Sequence, residues 1–279
     1  MNYFIENNNI VILNEEDFVI EHILDCGQVF RYQKLEDCHT IIAKDKICVL
    51  QKQDPYVILK TSDVNFFINY FDLNRDYGKI KKELTKMDSM IKPIEFGHGI
   101  RILNQDLYET IISFIISANN NIPRIKKIIE KLCVNLGERI EGNVYSFPTA
   151  EKIVEANVQF LESCGCGYRA PYIYETAKDI VNKKIDLNEL KKMNSKDSRE
   201  YLLKLKGVGP KVASCIELFG LHNMDLFPMD TWSKKIYRIL GFKEEANIEK
   251  MERNLVDYFK GLSGYAQQYL FYYYRTINV

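Results

Sequence analysis

The chain has 279 residues, enough for one large or two ordinary domains with a sizeable core. Hydrophobic residues make up 46% and charged residues 27%, which excludes a disordered chain, and no apolar run approaches the roughly 18–20 residues of a membrane span. The formal net charge is zero, yet residues 1–98 carry 12 Lys and Arg against 16 Asp and Glu, while residues 99–279 carry 26 against 22, so a polyanion would meet the second half.

The N-terminus, MNYFIENNNIVIL, has no basic leader and no small-residue cleavage site. The seven cysteines are odd in number, with no CxxC pair. These features predict free thiols, no metal centre, no membrane partner and a cytoplasmic protein, nucleoid-associated in a prokaryote.

The first 60 residues read as short strands. Residues 10–13, 29–33, 40–43, 47–51 and 56–60 are rich in β-branched and aromatic residues, separated by Asp, Asn, Lys or Gly. They predict an antiparallel sheet. From about residue 63 apolar residues fall three and four apart, the helical period. Residues 105–118 predict a buried helix stopped by Asn119-Asn120-Asn121, and Pro123 marks the start of the next. Further helices are expected near 149–155, 170–183, 196–205, 210–220, 231–240, 247–260 and 264–275. The expected fold is α+β: a sheet-containing part over 1–98 and an all-helical part over 99–279.

The segment KLKGVGPKVASC (204–215) interrupts one helix and begins another. Gly207, Val208 and Gly209 form a hairpin between two helices, and its amides, with the start of the second helix, suit a phosphate. An ordinary tight turn is the plainer alternative. Lys211 stands in the first helical turn, where the macrodipole and partial burial would both favour a neutral amine. A neutral lysine can form a Schiff base with a sugar C1′. Contact with a phosphate is the other use of such a lysine. Nineteen residues on, Asp230 in FPMDTW precedes a helical run as an N-cap.

A helix-hairpin-helix lysine followed by a Pro-x-Asp segment resembles the helix-hairpin-helix/Gly-Pro-Asp superfamily of DNA glycosylases. Its lysine-bearing members are glycosylase/lyases. No cysteine follows Cys215, unlike the members that hold a C-terminal iron–sulfur cluster. Five segments in order resemble the 8-oxoguanine DNA glycosylase family: CGQVFR (26–31), SANNNIPR (117–124), GCGYRA (165–170), the hairpin through Cys215, and GYAQQYLF (264–271).

That resemblance implies a TBP-like N-terminal sheet, a monomer, double-stranded DNA as partner and a set of roles. The carbonyl of Gly27 would read N7–H of 8-oxoguanine. Gln267 would bond the Watson–Crick edge of the flipped base, with Phe271 and Cys215 as walls of its slot. Asn119 and Tyr168 would fill the gap in the duplex, and Arg124 and Arg169 would read the orphaned cytosine. Lys211 and Asp230 would be catalytic. No cofactor is implied beyond a structural monovalent cation at the hairpin. Two positions depart from the family pattern: Trp232 replaces a frequent histidine, and Tyr274 a frequent acid. A glycosylase of the same superfamily for another damaged base, and a non-catalytic DNA-binding module, remain as alternatives.

Overall fold

The computed structural model describes residues 2–13, 15–243 and 245–278. Its sheet contains β1 (Tyr3–Glu6), β2 (Asn9–Ile12), β3 (Tyr32–Lys34), β4 (His39–Ala43), β5 (Lys46–Gln53) and β6 (Tyr56–Thr61). The order is β1-β2-β6-β5-β4-β3, every neighbouring pair antiparallel. The register places Ile10 beside Leu59, Leu59 beside Leu50, and Ile41 beside Cys48. All five are fully buried, so the period-two pattern delivers one apolar face. Two helices cover that face, α1 (Ile20–Asp25) and α2 (Val64–Tyr70).

Helices then follow to the C-terminus. They are α3 (Tyr77–Leu84), α4 (Asp88–Phe96), α5 (Leu107–Ser117), α6 (Ile122–Leu136), α7 (Ala150–Ser163), α8 (Ala170–Val181) and α9 (Leu187–Lys192), and then α10 (Ser195–Leu202), α11 (Pro210–Gly220), α12 (Thr231–Ile239), α13 (Ile248–Phe259) and α14 (Ser263–Thr276). Short polar side chains start most of them: Asp106 accepts from Glu109 N at 3.0 Å, and Asn121 from Arg124 N at 3.0 Å. In α5 the side chains of Ile111, Ile112, Ile115 and Ile116 are all fully buried. Each is worth about 1.5–3 kcal/mol in burial. Helix α11 lies against α5, and a Cβ on Gly220 would stand 3.1 Å from Leu107, so the two helices cross closely.

Several elements differ from the sequence expectation. Residues 29–31 are not strand: Val29, Phe30 and Arg31 leave the sheet edge and are buried. Strand β1 pairs with β2 across Asn7-Asn8, both at positive φ, a hairpin turn hidden in a polar run. Helix α1 was unforeseen, although Ile20, Ile23 and Leu24 have helical spacing. The part after 105 is not wholly helical, since Arg139–Glu141 (β7) and Val144–Tyr145 (β8) pair. Helix α7 runs past 155, with a break at Asn157 (φ 62°), whose side chain caps Phe160 N at 3.1 Å.

The apolar core is in two clusters. One gathers the sheet, α1 and α2; the other gathers the helices from Tyr77 onward, including Leu84, Met90 and Ile94. Helices α3 and α4 therefore pack with the helical part, although they precede the expected boundary at 98. Arg101 sits between the clusters, fully buried. Its guanidinium donates to the carbonyls of Phe71 (2.8 Å), Asp17 (3.2 Å), Asp72 and Arg75 (3.2 Å), and lies 4.0 Å from the centroid of Tyr77. Burial lowers its pKa, offset by Tyr77, Asp72 and Asp17.

Candidate active site and DNA-facing surface

Residues widely spaced in the chain meet at one small cavity. Gly27, Lys211, Cys215, Asp230, Gln267 and Phe271 line it, together with Phe114, Phe219, Pro228 and Gln268. Its volume is about 50 Å3. That is room for a water or two, at ~30 Å3 each in the liquid.

Lys211 rises from the first turn of α11 and Cys215 stands one turn on. The amine bonds the Cys215 sulfur and lies 5.6 Å from the centroid of Phe114. Phe114 stacks on Phe219 at 5.5 Å, giving the lysine a rigid apolar floor. Cys215, then Asp230, raise the pKa of Lys211 above the usual lysine range, against burial. Burial pushes the Cys215 thiol up, more than Lys211 draws it down. The resting lysine is therefore an ammonium. The expectation of a neutral amine counted only the dipole and burial; Asp230, and Cys215 in the alkaline range where its thiol ionises, act against them.

A consequence is measurable. Covalent trapping should accelerate as pH rises, because a raised pKa leaves the amine mostly protonated at neutral pH. Cys215→Ser removes the largest cause of that rise and should move the profile to lower pH. Single-turnover trapping across the neutral and alkaline range checks this. An unmoved profile would mean that Cys215 does not set the lysine's charge.

Asp230 is the N-cap of α12, accepting from Ser233 N at 2.7 Å, while Ser233 Oγ donates to Pro228 O at 2.7 Å. These bonds aim the carboxylate at the cavity. Behind α11, Arg199 bonds Ser214 (2.8 Å), Glu217 (3.1 Å) and Glu252 (2.7 Å). This network joins α10, α11 and α13 and fixes the helix that bears the lysine. Burial pushes Glu217 up to about 7, although Arg199 opposes it.

The hairpin needs its first glycine. Gly207 has φ +81°, and a Cβ there would approach Tyr172 to 2.7 Å. A Cβ on Gly209 would meet open space, and no side chain caps α11. The amides of its first turn thus face outward, as a phosphate site requires. Val208 is buried and anchors the turn, its N–H donating to Leu205 O at 3.1 Å.

Gly27 follows α1 with φ +89°, and is held from both sides. Gln268 Nε2 donates to Cys26 O at 2.7 Å. The buried Gln28 amide donates to Ile23 O (3.0 Å) and Arg101 O (2.8 Å) and accepts from Leu103 N (2.8 Å). Sequence reasoning quoted Gln28 and Gln268 in their motifs without giving them this work. Gln267 is buried in the cavity wall, and its Oε1 has no hydrogen-bond partner among the described residues.

The residues expected to fill the duplex gap assemble at the end of α5. Asn119 (φ 48°) and Tyr168 are exposed, and Tyr168 Oη donates to Ala118 O at 3.2 Å. Asn119 stands two residues beyond the end of α5, whose Phe114 lines the cavity. Arg124 is exposed in the first turn of α6. Arg169 differs from expectation. It is 3% exposed, and its guanidinium donates to Ala118 O (2.8 Å from Nε) and Asn119 O (2.9 Å) beneath the Tyr168 ring. It holds the Asn119 turn through Nε and Nη2, while Nη1 makes only a 3.5 Å contact with Cys166 O.

Trp232 is half-buried under Lys235, 4.5 Å from the ring, and Tyr274 packs on Tyr273. Neither lines the cavity. Arg275 does approach it, unforeseen, over the Phe271 ring at 4.8 Å. Its signal was the four-residue spacing of Gln267, Phe271 and Arg275 on one helix. Among the described residues no group of three or more His, Cys, Asp or Glu could hold a metal, and no helix is long and apolar enough to cross a membrane.

Comparison with known proteins defines the class and then the family. Residues 112–260 match the family model of the HhH-GPD superfamily of base excision DNA repair proteins. Residues 10–111 match the 8-oxoguanine DNA glycosylase N-terminal domain. The N-glycosylase/DNA lyase of Saccharomyces cerevisiae is 33% identical over 80% of this chain and 68% of its own. A probable N-glycosylase/DNA lyase of Methanothermobacter thermautotrophicus is 31% identical over 78% of this chain and 77% of its own. The 8-oxoguanine glycosylase/lyase of Clostridium acetobutylicum, solved with double-stranded DNA carrying cytosine opposite 8-oxoguanine, superposes with a TM-score of 0.94. That match has 39% identity and covers 100% of this chain and 99% of that one. The chain belongs to the 8-oxoguanine DNA glycosylase/lyase family.

Proposed function

We propose that the protein flips 8-oxoguanine out of duplex DNA, excises it through a Lys211 Schiff base and nicks the resulting abasic site. The observation that carries this is the meeting of Lys211, Asp230, Cys215, Gln267 and Phe271 at one cavity beside an outward-facing hairpin. The hairpin amides and α11 N-terminus grip the backbone phosphate. Extrusion costs a few kcal/mol, offset as Asn119 and Tyr168 enter the duplex gap. Phe271 and Cys215 then sandwich the base, Gln267 bonds its Watson–Crick edge, and the Gly27 carbonyl accepts from N7–H, which guanine lacks.

Lys211 loses its proton and its lone pair attacks C1′. The C1′–N9 bond breaks, and the base leaves with the bonding pair. The Asp230 carboxylate stabilises the positive charge that develops on the sugar. The aminal opens as C1′–O4′ breaks and O4′ takes a proton, giving the imine; the imine acidifies C2′–H, whose proton passes to solvent, and β-elimination breaks the C3′–O bond, the 3′ phosphate leaving with the bonding pair. Hydrolysis of the imine restores the lysine. The hairpin segment 204–210 carries no carboxylate. Its donors are neutral carbonyl oxygens between lysines, a set that suits a monovalent cation rather than a divalent one. We assign the protein to the cytoplasm as a monomer, at the nucleoid in a prokaryote.

Borohydride added to protein and a duplex holding one 8-oxoguanine opposite cytosine should trap a covalent complex absent from undamaged duplex. Tight binding without trapping or base release would leave a passive DNA-binding module, and release from another damaged base alone would leave a different glycosylase. Opposite-base choice rests on Arg124. Arg124→Ala should flatten the preference for cytosine, whereas Arg169→Ala should slow excision about equally opposite every base, because it loosens the Asn119 turn. Single-turnover rates against all four opposite bases separate the two. A profile altered by Arg169→Ala alone would reverse the assignment.

A further inference from the structure

Arg275 is one helical turn beyond Phe271, and its guanidinium lies over that ring, 4.8 Å from the centroid. Nη2 donates to Asp25 O, which anchors the group beside Gly27. Nη1 is buried and has no hydrogen-bond partner among the described residues. It lies 2.6 Å from the point where a Cβ would stand on Gly27. A buried charged donor without an acceptor is costly, so its persistence beside Gly27 and Phe271, which line the cavity, points to a ligand oxygen.

The placement selects the oxygen. Gln267 and Arg275 are eight residues apart on one helix face, about 12 Å along the axis, with Phe271 between them. Gln267 faces the Watson–Crick edge of the base, and Gly27 reads N7. Around a purine, O6 lies between N1 and N7, whereas the C8 substituent lies beyond N7, away from Gln267. We propose that Arg275 Nη1 donates to O8 of the flipped base, the oxygen that distinguishes the lesion from guanine. Because Nη2 is held by Asp25, the two-pronged contact that arginine makes with guanine O6 and N7 is unavailable. The residue is a single donor for a single carbonyl. Gly27 rejects guanine by repulsion and Arg275 selects the lesion by attraction.

This inference rests on the 8-oxoguanine reading above, and the test separates their failures. Arg275→Met keeps the apolar stem over Phe271 and removes the donor; Arg275→Lys keeps a donor. Single-turnover excision is measured on duplexes with 8-oxoguanine and with 8-thioguanine, which keeps N7–H and replaces O8 by a poor acceptor. Arg275→Met should lose about ten- to a hundredfold on 8-oxoguanine, the worth of a hydrogen bond from a charged donor. The wild-type gap between the two bases should collapse in that variant, and Arg275→Lys should restore part of it. Binding to a tetrahydrofuran abasic-site duplex should stay unchanged. An unaltered gap, or an equal loss of abasic binding, overturns the role of Arg275. A wild-type protein that leaves 8-oxoguanine untouched overturns the substrate reading itself.

Discussion

Lys211→Gln should yield a folded protein that binds lesion duplex and neither traps nor nicks it. Glutamine nearly matches the lysine stem in length and has no nucleophilic nitrogen. Lys211 is in the first turn of α11, and its side chain meets Cys215, Asp230 and the Phe114 ring. Removing the cation leaves Asp230 with its Ser233 bond intact, so the fold keeps its local support. The loss in covalent chemistry should be complete within detection, because no other described lysine lines the cavity. Gel mobility of the lesion duplex reports binding, borohydride trapping reports chemistry, and the melting temperature reports folding. Trapping that survives would reassign the nucleophile, and an unfolded variant would make the lysine structural.

Asp230→Asn should slow base release by about 10²–10³-fold, the usual cost of removing one preorganised charge-stabilising group. This substitution separates two roles of one side chain. As N-cap, asparagine is as good as aspartate, so the bond to Ser233 N and the start of α12 persist. As electrostatic partner, the amide carries no net charge and cannot stabilise a cationic sugar. Loss of the carboxylate also removes one of the causes that raise the Lys211 pKa, which frees amine and partly offsets the loss. The net effect should therefore be larger on base release than on nicking of a preformed abasic site, where the glycosidic bond is already broken. Equal rates for variant and wild type would reduce Asp230 to a helix cap.

Much of this was visible in the residues. The alternation in 40–60 became β4 to β6 in a register that buries Ile41, Leu50 and Leu59. The 210–220 helix was found to the residue, because a glycine, a proline and a helical period mark its start together. Asp230 was read as a cap and is one. Local features of this kind depend on neighbours within four residues, which a single sequence displays.

What the sequence could not show is which distant groups share one space. Lys211 has the dipole and burial of a neutral amine; Cys215 is its neighbour one turn on, but only the folded chain adds Asp230, nineteen residues away, to the groups that raise its pKa. Arg169 stands in the GCGYRA motif, but its carbonyl partners at Ala118 and Asn119 lie about fifty residues away and engage its Nε and Nη2. Arg275 carries no motif of its own and acquires meaning from Gly27, across the whole length of the chain. The sequence by itself determined the class of fold, the hairpin and the helix starts that carry Lys211 and Asp230, because those follow from short-range backbone preferences. Charge states and hydrogen-bond partners were decided by the tertiary structure, because electrostatic and hydrogen-bond energies depend on distance in space and not on separation along the chain.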